Sequence, residues 1–235
     1  MFKKQKIKLI PNFLLILLIQ ILSVIKTHAQ NSDQQLWTNI TAVGPLVRQQ
    51  PAIRYWLEIQ DRVGEDVSQL SQLLIRPGLG YQFLPSSSFW LGYAAIHTSV
   101  PFSDPNTFEN RIWEQFLWSQ HLNSLRLTGR SRLEQRFIEN TYHTAWRFRQ
   151  MFKTNIFIPK HSKYEFVVSD ELFFHLNNFN QQNNTGFDQN RLFLGIGYKA
   201  SNNSNLEIGY LNQLINRFQR DNYSGNYLAV TLLLS

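Results

Sequence analysis

Leu125-Arg126-Leu127-Thr128-Gly129-Arg130-Ser131-Arg132-Leu133-Glu134-Gln135-Arg136-Phe137-Ile138 is the stretch whose pattern fixes the fold class. Its polar residues fall at every second position: Arg126, Thr128, Arg130, Arg132, Glu134 and Arg136 share one face, while Leu125, Leu127, Gly129, Leu133 and Phe137 share the other. On an α-helix, arginines at successive even offsets would be spread all round the axis; on a strand they line one side. The stretch therefore reads as a long, two-faced β-strand.

The next segment repeats the pattern, with Arg147, Arg149, Lys153 and Asn155 on one face against Trp146, Phe148, Phe152, Ile156 and Ile158 on the other. Working outward, strand-like segments are predicted over 52–62, 70–83, 89–99, 109–119, 164–175, 189–200, 205–214 and 223–235, with 36–42 as a weaker first strand. Segments of about ten residues with alternating polarity, separated by turn-formers, are the signature of a transmembrane barrel. A soluble sandwich could carry the same parity. Strand length, aromatic residues near strand ends and an export signal favour the barrel.

That signal stands at the start. Lys3, Lys4, Lys6 and Lys8 precede an apolar run over 13–25 broken only by Gln20 and Ser23, and Thr27-His28-Ala29 follows. The order matches a signal peptide cleaved after Ala29, so 1–29 is expected to be removed and 30–235 to form one domain. The run is too short for a membrane anchor, which needs roughly 20 apolar residues. The formal charge of +7 misleads, because five of the 23 Lys and Arg residues and none of the 16 Asp and Glu precede Gln30, leaving about +2 on the remainder. Nothing in that balance calls for nucleic acid. With no cysteine in the chain, a disulfide scaffold, a thiolate metal site and a lipid-anchored N-terminal cysteine are all excluded.

Connections are expected to alternate in length. His121-Leu122-Asn123, 159–163 and 201–204 read as short periplasmic turns; 100–108, 139–141, 177–186 and 216–222 read as extracellular loops. The segments number eleven, whereas an all-antiparallel barrel with both ends in the periplasm needs an even number. Either 36–42 is a plug or edge piece, giving ten strands, or one strand is missing from the count; twelve is the preferred expectation.

The chain resembles a family of uncharacterised outer-membrane barrels, domain of unknown function DUF2490. The resemblance rests on Glu109-Asn110-Arg111-Ile112-Trp113-Glu114-Gln115, Arg130-Ser131-Arg132-Leu133-Glu134-Gln135-Arg136-Phe137, Arg147-Phe148-Arg149 and Glu171-Leu172-Phe173. It continues in Phe187-Asp188-Gln189-Asn190-Arg191, Gly195-Ile196-Gly197-Tyr198 and Glu207-Ile208-Gly209-Tyr210. It implies an outer-membrane location and brings no activity or catalytic residue.

The chemistry concentrates on one polar face. If strands pair in sequence order, Arg111, Gln115, Arg130, Arg132, Glu134, Arg136, Arg147, Arg149, Glu171 and Arg191 project into a common lumen. Guanidinium forks bind carboxylates in bidentate fashion, making Glu134 and Glu171 natural partners. A salt-bridged plug filling a narrow barrel is one reading; surplus arginine forming a constriction that passes small anions is the other.

A second feature is His97-Thr98-Ser99. A His and a Ser two residues apart share one face, as in outer-membrane lipid hydrolases that use Ser as nucleophile and His as base. Phe89, Leu91, Tyr93 and Ala95 share their parity, which would place the pair against outer-membrane lipid. Val100-Pro101 follows instead of the Asn such enzymes carry, and no orienting third residue is assignable. A surface receptor or adhesin built on the Asn- and Gln-rich tract 177–186 is a third reading. The six His show no metal-ligand spacing, and neither a phosphate loop nor an HExxH motif is present, so no cofactor is expected. Glu65-Asp66 reads as solvated, Gly195 and Gly197 as relieving crowding in the wall, and Trp90, Trp113, Trp118 and Trp146 as interface anchors.

Overall fold

Alternation of outward apolar and inward polar side chains carries the chain through eleven strands, which a computed structural model closes into a ring. The structure describes residues 35–64, 68–100, 102–103, 105–158, 163–180, 185–217 and 221–235. The proposed signal peptide and Glu65-Asp66 lie outside the described residues. The strands are β1 (Gln35–Val47), β2 (Gln50–Gly64), β3 (Gln69–Leu84), β4 (Ser87–Thr98), β5 (Thr107–Leu122), β6 (Leu125–Ile138), β7 (Ala145–Phe157), β8 (Tyr164–His175), β9 (Gly186–Lys199), β10 (Ser204–Ile215) and β11 (Tyr223–Leu234). No helix occurs among the described residues.

Each strand pairs antiparallel with its sequence neighbour, and the ring closes through a parallel ladder between β1 and β11, from Gln35 opposite Tyr227 to Ala42 opposite Leu234. Eleven strands fall within the expected ten to twelve; what the parallel ladder corrects is the preference for twelve in an all-antiparallel ring. An odd number of up-and-down strands brings the first and last alongside in the same direction, and a parallel ladder satisfies both edges. The weak segment 36–42 is part of a full wall strand, neither plug nor loose edge.

Short connections at 48–49, 85–86, 123–124, 158–163 and 200–203 gather at one end, and 65–68, 99–106, 139–144, 176–185 and 216–222 at the other. Connections at the first end have two to six residues and those at the second four to ten, so the alternation suggested by the turn residues holds except between 139–144 and 158–163, which are equal in length. Asn123 makes the two-residue turn between β5 and β6 with φ of 47°, a left-handed conformation that Asn tolerates better than most residues. Because β1 and β11 are parallel, β1 starts at the long-loop end and β11 finishes at the short-turn end.

Burial inverts the water-soluble arrangement. Among the described residues, buried polar and charged side chains outnumber buried hydrophobic ones, 23 to 15, while Leu57, Ile59, Leu79, Phe89, Leu91 and Ile196 stand on the outer wall. Two apolar clusters lie inside: Trp56, Leu74, Trp90, Ala94, Ile96 and Trp113 form the larger, and Val167, Phe193 and Ala229 the smaller. Trp56 meets Trp90 and Trp113 edge-on, with centroids 5.4 and 6.2 Å apart. Gly78 and Gly92 leave room for the Trp113 ring; a Cβ at either would fall within 2.7 Å of it.

Trp90 and Trp113 are therefore interior residues rather than the interface anchors expected from composition. Trp90 alternates with Phe89 and Leu91, so the apolar outer wall forces it inward, where its indole donates to Ser88 Oγ at 2.8 Å. Trp146 is exposed on the outer wall, and Trp118 covers Gly129 of the neighbouring strand.

Candidate functional site

Glu134 is the centre of the buried charge. Its carboxylate accepts from Arg147 of the adjacent strand at 2.7 Å and from Arg149 at 2.7 Å, and the guanidiniums of Arg76 and Arg111 lie 3.8 Å away. Arg149 turns its other edge to Glu171, donating to both carboxylate oxygens at 2.9 and 3.0 Å, and Arg130 donates to Glu171 at 2.8 Å. Glu109 accepts from Arg111 and Arg136 at 2.5 and 2.6 Å. Glu58 accepts from Arg76 at 2.8 Å. Arg132, fully buried, donates twice to Gln115 at 2.9 and 2.6 Å and stacks 4.9 Å from the centre of Trp113.

Several of these ties skip strands. Arg76 on β3 reaches Glu134 on β6, Arg130 on β6 reaches Glu171 on β8, and Lys153 on β7 reaches Glu207 on β10 at 2.6 Å. In a closed ring, only the interior offers such paths. Most of the buried charges are tolerated there because opposite charge and hydrogen bonds match them, without which desolvation would cost several kcal/mol per ion.

All ten polar residues singled out in the sequence thus take part in interior hydrogen bonds. Arg132 and Arg191 are the two arginines of that set that lack a carboxylate partner; Arg132 is held by Gln115. Arg191 sits directly opposite Glu171 in the β8–β9 register, yet no carboxylate among the described residues is within ion-pairing distance, because Glu171 is taken by Arg130 and Arg149. Arg191 donates to Gln189 at 3.3 Å and rests on Phe173 and Trp37, 4.7 and 5.2 Å from their ring centres.

Sequence reasoning missed Glu58, Arg62, Arg76, Glu109 and the Lys153–Glu207 tie. The signal for the first three was present: Trp56, Glu58, Gln60 and Arg62 share one parity, and Glu58 meets Arg76 in register across β2 and β3.

Two cavities flank the charged layer. One of about 710 Å³ opens towards the short turns, and one of about 330 Å³ towards the long loops. Gln60, Arg62, Arg149 and Arg191 line both.

Residues 34–224 match the family described as "Protein of unknown function (DUF2490)". The chain belongs to this family. It is also similar to an uncharacterized protein of Methylorubrum extorquens, 30% identical over 204 residues that cover 84% of this chain and 87% of that protein. No solved structure matches it.

In this DUF2490 protein the His97 and Ser99 side chains are engaged separately. The imidazole packs against Phe108 with centroids 4.6 Å apart, and Ser99 Oγ donates to the Leu70 carbonyl at 3.0 Å. No hydrogen bond joins the two. The outward parity of Phe89, Leu91 and Tyr93 is as the alternation suggested.

Proposed function

We propose that this DUF2490 protein is an outer-membrane barrel whose interior forms a narrow passive pore for small anions. The observation that carries the pore is the meeting of two cavities, one from each end, on the same four side chains. Three of those four are arginines, and charged rings at a constriction select ions of opposite sign.

Membrane insertion is supported by the inverted burial. Leu79, Leu91 and Phe89 are each more than half exposed, and an outer wall that is mostly apolar is at home against lipid tails; its outward polar residues Glu114 with Gln135 and Ser131 with Gln150 hydrogen-bond in pairs. Closure of the ring leaves no strand edge unpaired, which the hydrocarbon core requires of any sheet. The export signal read from 1–29 supports the outer membrane as its destination.

The test is planar-bilayer conductance of the detergent-purified protein under a potassium chloride gradient. Discrete steps with an anion-preferring reversal potential are expected. Silent bilayers from protein proven folded by its heat-shifted gel mobility would overturn the pore.

A further inference from the structure

We infer that Arg62 and Arg191, brought to one aromatic ring at the β1–β11 seam, form a binding site for a small oxyanion of the carboxylate or phosphate type. The inference rests on the pore reading only for the route of access; binding itself requires no membrane.

Trp37 organises the site. It lies opposite Arg62 in the β1–β2 register, and the Arg62 guanidinium sits 4.0 Å from the ring centre. Tyr227 stacks on the same indole at 4.5 Å with the planes 16° apart, fixing the ring across the parallel seam. Arg191 approaches the indole from β9, its guanidinium 5.2 Å from the ring centre. Stacking on an aromatic holds a guanidinium in place without neutralising it.

Both cations are in surplus. No carboxylate among the described residues comes within ion-pairing distance of Arg62 or Arg191, whereas Arg76, Arg111, Arg130, Arg136, Arg147 and Arg149 each have one. Arg191 Nε is buried with no hydrogen-bond partner at all. Glu171, its register partner, already accepts from Arg130 and Arg149; Glu58 accepts from Arg76, and Asp188 from Arg147 at 3.4 Å. The Gln189 carbonyl accepts from Arg191 and Gln213. These four acceptors are therefore committed elsewhere or shared, and neither guanidinium fork has a carboxylate to bind.

Two like charges beside one ring repel each other, and an anion between them removes that cost. Planar forks present paired N–H groups that match the oxygens of a carboxylate or phosphate, which a spherical halide cannot use. Both arginines line both cavities, so the position is reachable from either end of the barrel. The smaller cavity, about 330 Å³, sets the scale of the ligand to a small molecule.

Calorimetric titration of the detergent-folded barrel with inorganic phosphate, and in a parallel arm with succinate, tests the site at constant chloride. Saturable binding of one anion per barrel is expected, weakened by about tenfold or more in Arg62→Gln and in Arg191→Gln. Arg126→Gln, which removes an arginine lining the larger cavity but paired with Glu165, should leave affinity within about threefold. Should the Gln variants fail to fold, Arg62→Lys and Arg191→Lys keep the charge and lose the fork, and a weakened but measurable affinity is expected. Preference for phosphate over succinate assigns a phosphoryl ligand, and the reverse a carboxylate. Absence of saturable binding in folded wild type, or chloride competing as well as phosphate, overturns the site. Intact binding with silent bilayers would instead remove the pore and leave the site standing.

Discussion

The Glu134 carboxylate lies 2.7 Å from the Arg149 guanidinium, and both are buried within a group of four arginines. Removing the acid takes away the carboxylate that Arg147 and Arg149 share, leaving Arg147 only the longer contact with Asp188 at 3.4 Å and Arg149 only Glu171, which Arg130 also holds. Glu134→Ala is expected to cost about 3–5 kcal/mol, the penalty for an uncompensated buried ion. Urea unfolding of the barrel refolded in lipid vesicles measures it, and a loss below about 1 kcal/mol would refute the central role given to Glu134.

Steric fit governs the tryptophan cluster. A Cβ on Gly78 would come within 2.6 Å of Trp113 Cζ2, at the far end of the indole. Gly78→Ala should destabilise by about 1–3 kcal/mol through overpacking. Adding Trp113→Phe removes the colliding atoms, so the double variant should cost less than the sum of the singles. Strict additivity in a double-mutant cycle would rule out the contact.

Leu91, 57% exposed near the middle of β4, distinguishes lipid from water outside the wall. Leu91→Arg should cost about 2–4 kcal/mol if hydrocarbon covers it. In refolding into vesicles, an effect under about half a kcal/mol would mean that the outer wall faces water.

The parallel seam has a direct chemical test, since the chain has no native cysteine. Ile40 and Leu232 are register partners with the same outward parity. Ile40→Cys combined with Leu232→Cys should form a disulfide on mild oxidation, because adjacent strands bring the Cα atoms within bonding range. Pairing Ile40→Cys with Leu233→Cys, whose side chain takes the opposite face, should give little. Equal yields in the two variants would contradict the register.

Much of the wall was legible in the sequence because alternation is a local property. β6 announced itself through arginines at every second position, and its inward face follows from that spacing alone. Trp90 and Trp113 could have been placed inside by the same parity; counting aromatics instead of following the alternation put them at the interface. The pairing of β1 with β11 has no local signature, being set by the odd number of strands and by contacts between distant stretches. The state of Arg191 was equally hidden: its register partner is an acid, and only the side-chain directions of Arg130 and Arg149 reveal that the acid is taken.

The ladder joining Gln35 to Tyr227 also governs the order of folding. Ten ladders join consecutive strands and can form as hairpins while the chain is still arriving; the eleventh must wait for the whole barrel sequence. Bringing together ends about 190 residues apart costs about 4–5 kcal/mol in loop entropy unless the earlier hairpins have already curved the sheet. Until closure, β1 and β11 each present a row of unsatisfied backbone groups that invites pairing with another chain. A translation product that stops short of β11 keeps those edges open, so premature termination anywhere in the barrel should yield aggregating fragments rather than smaller working barrels.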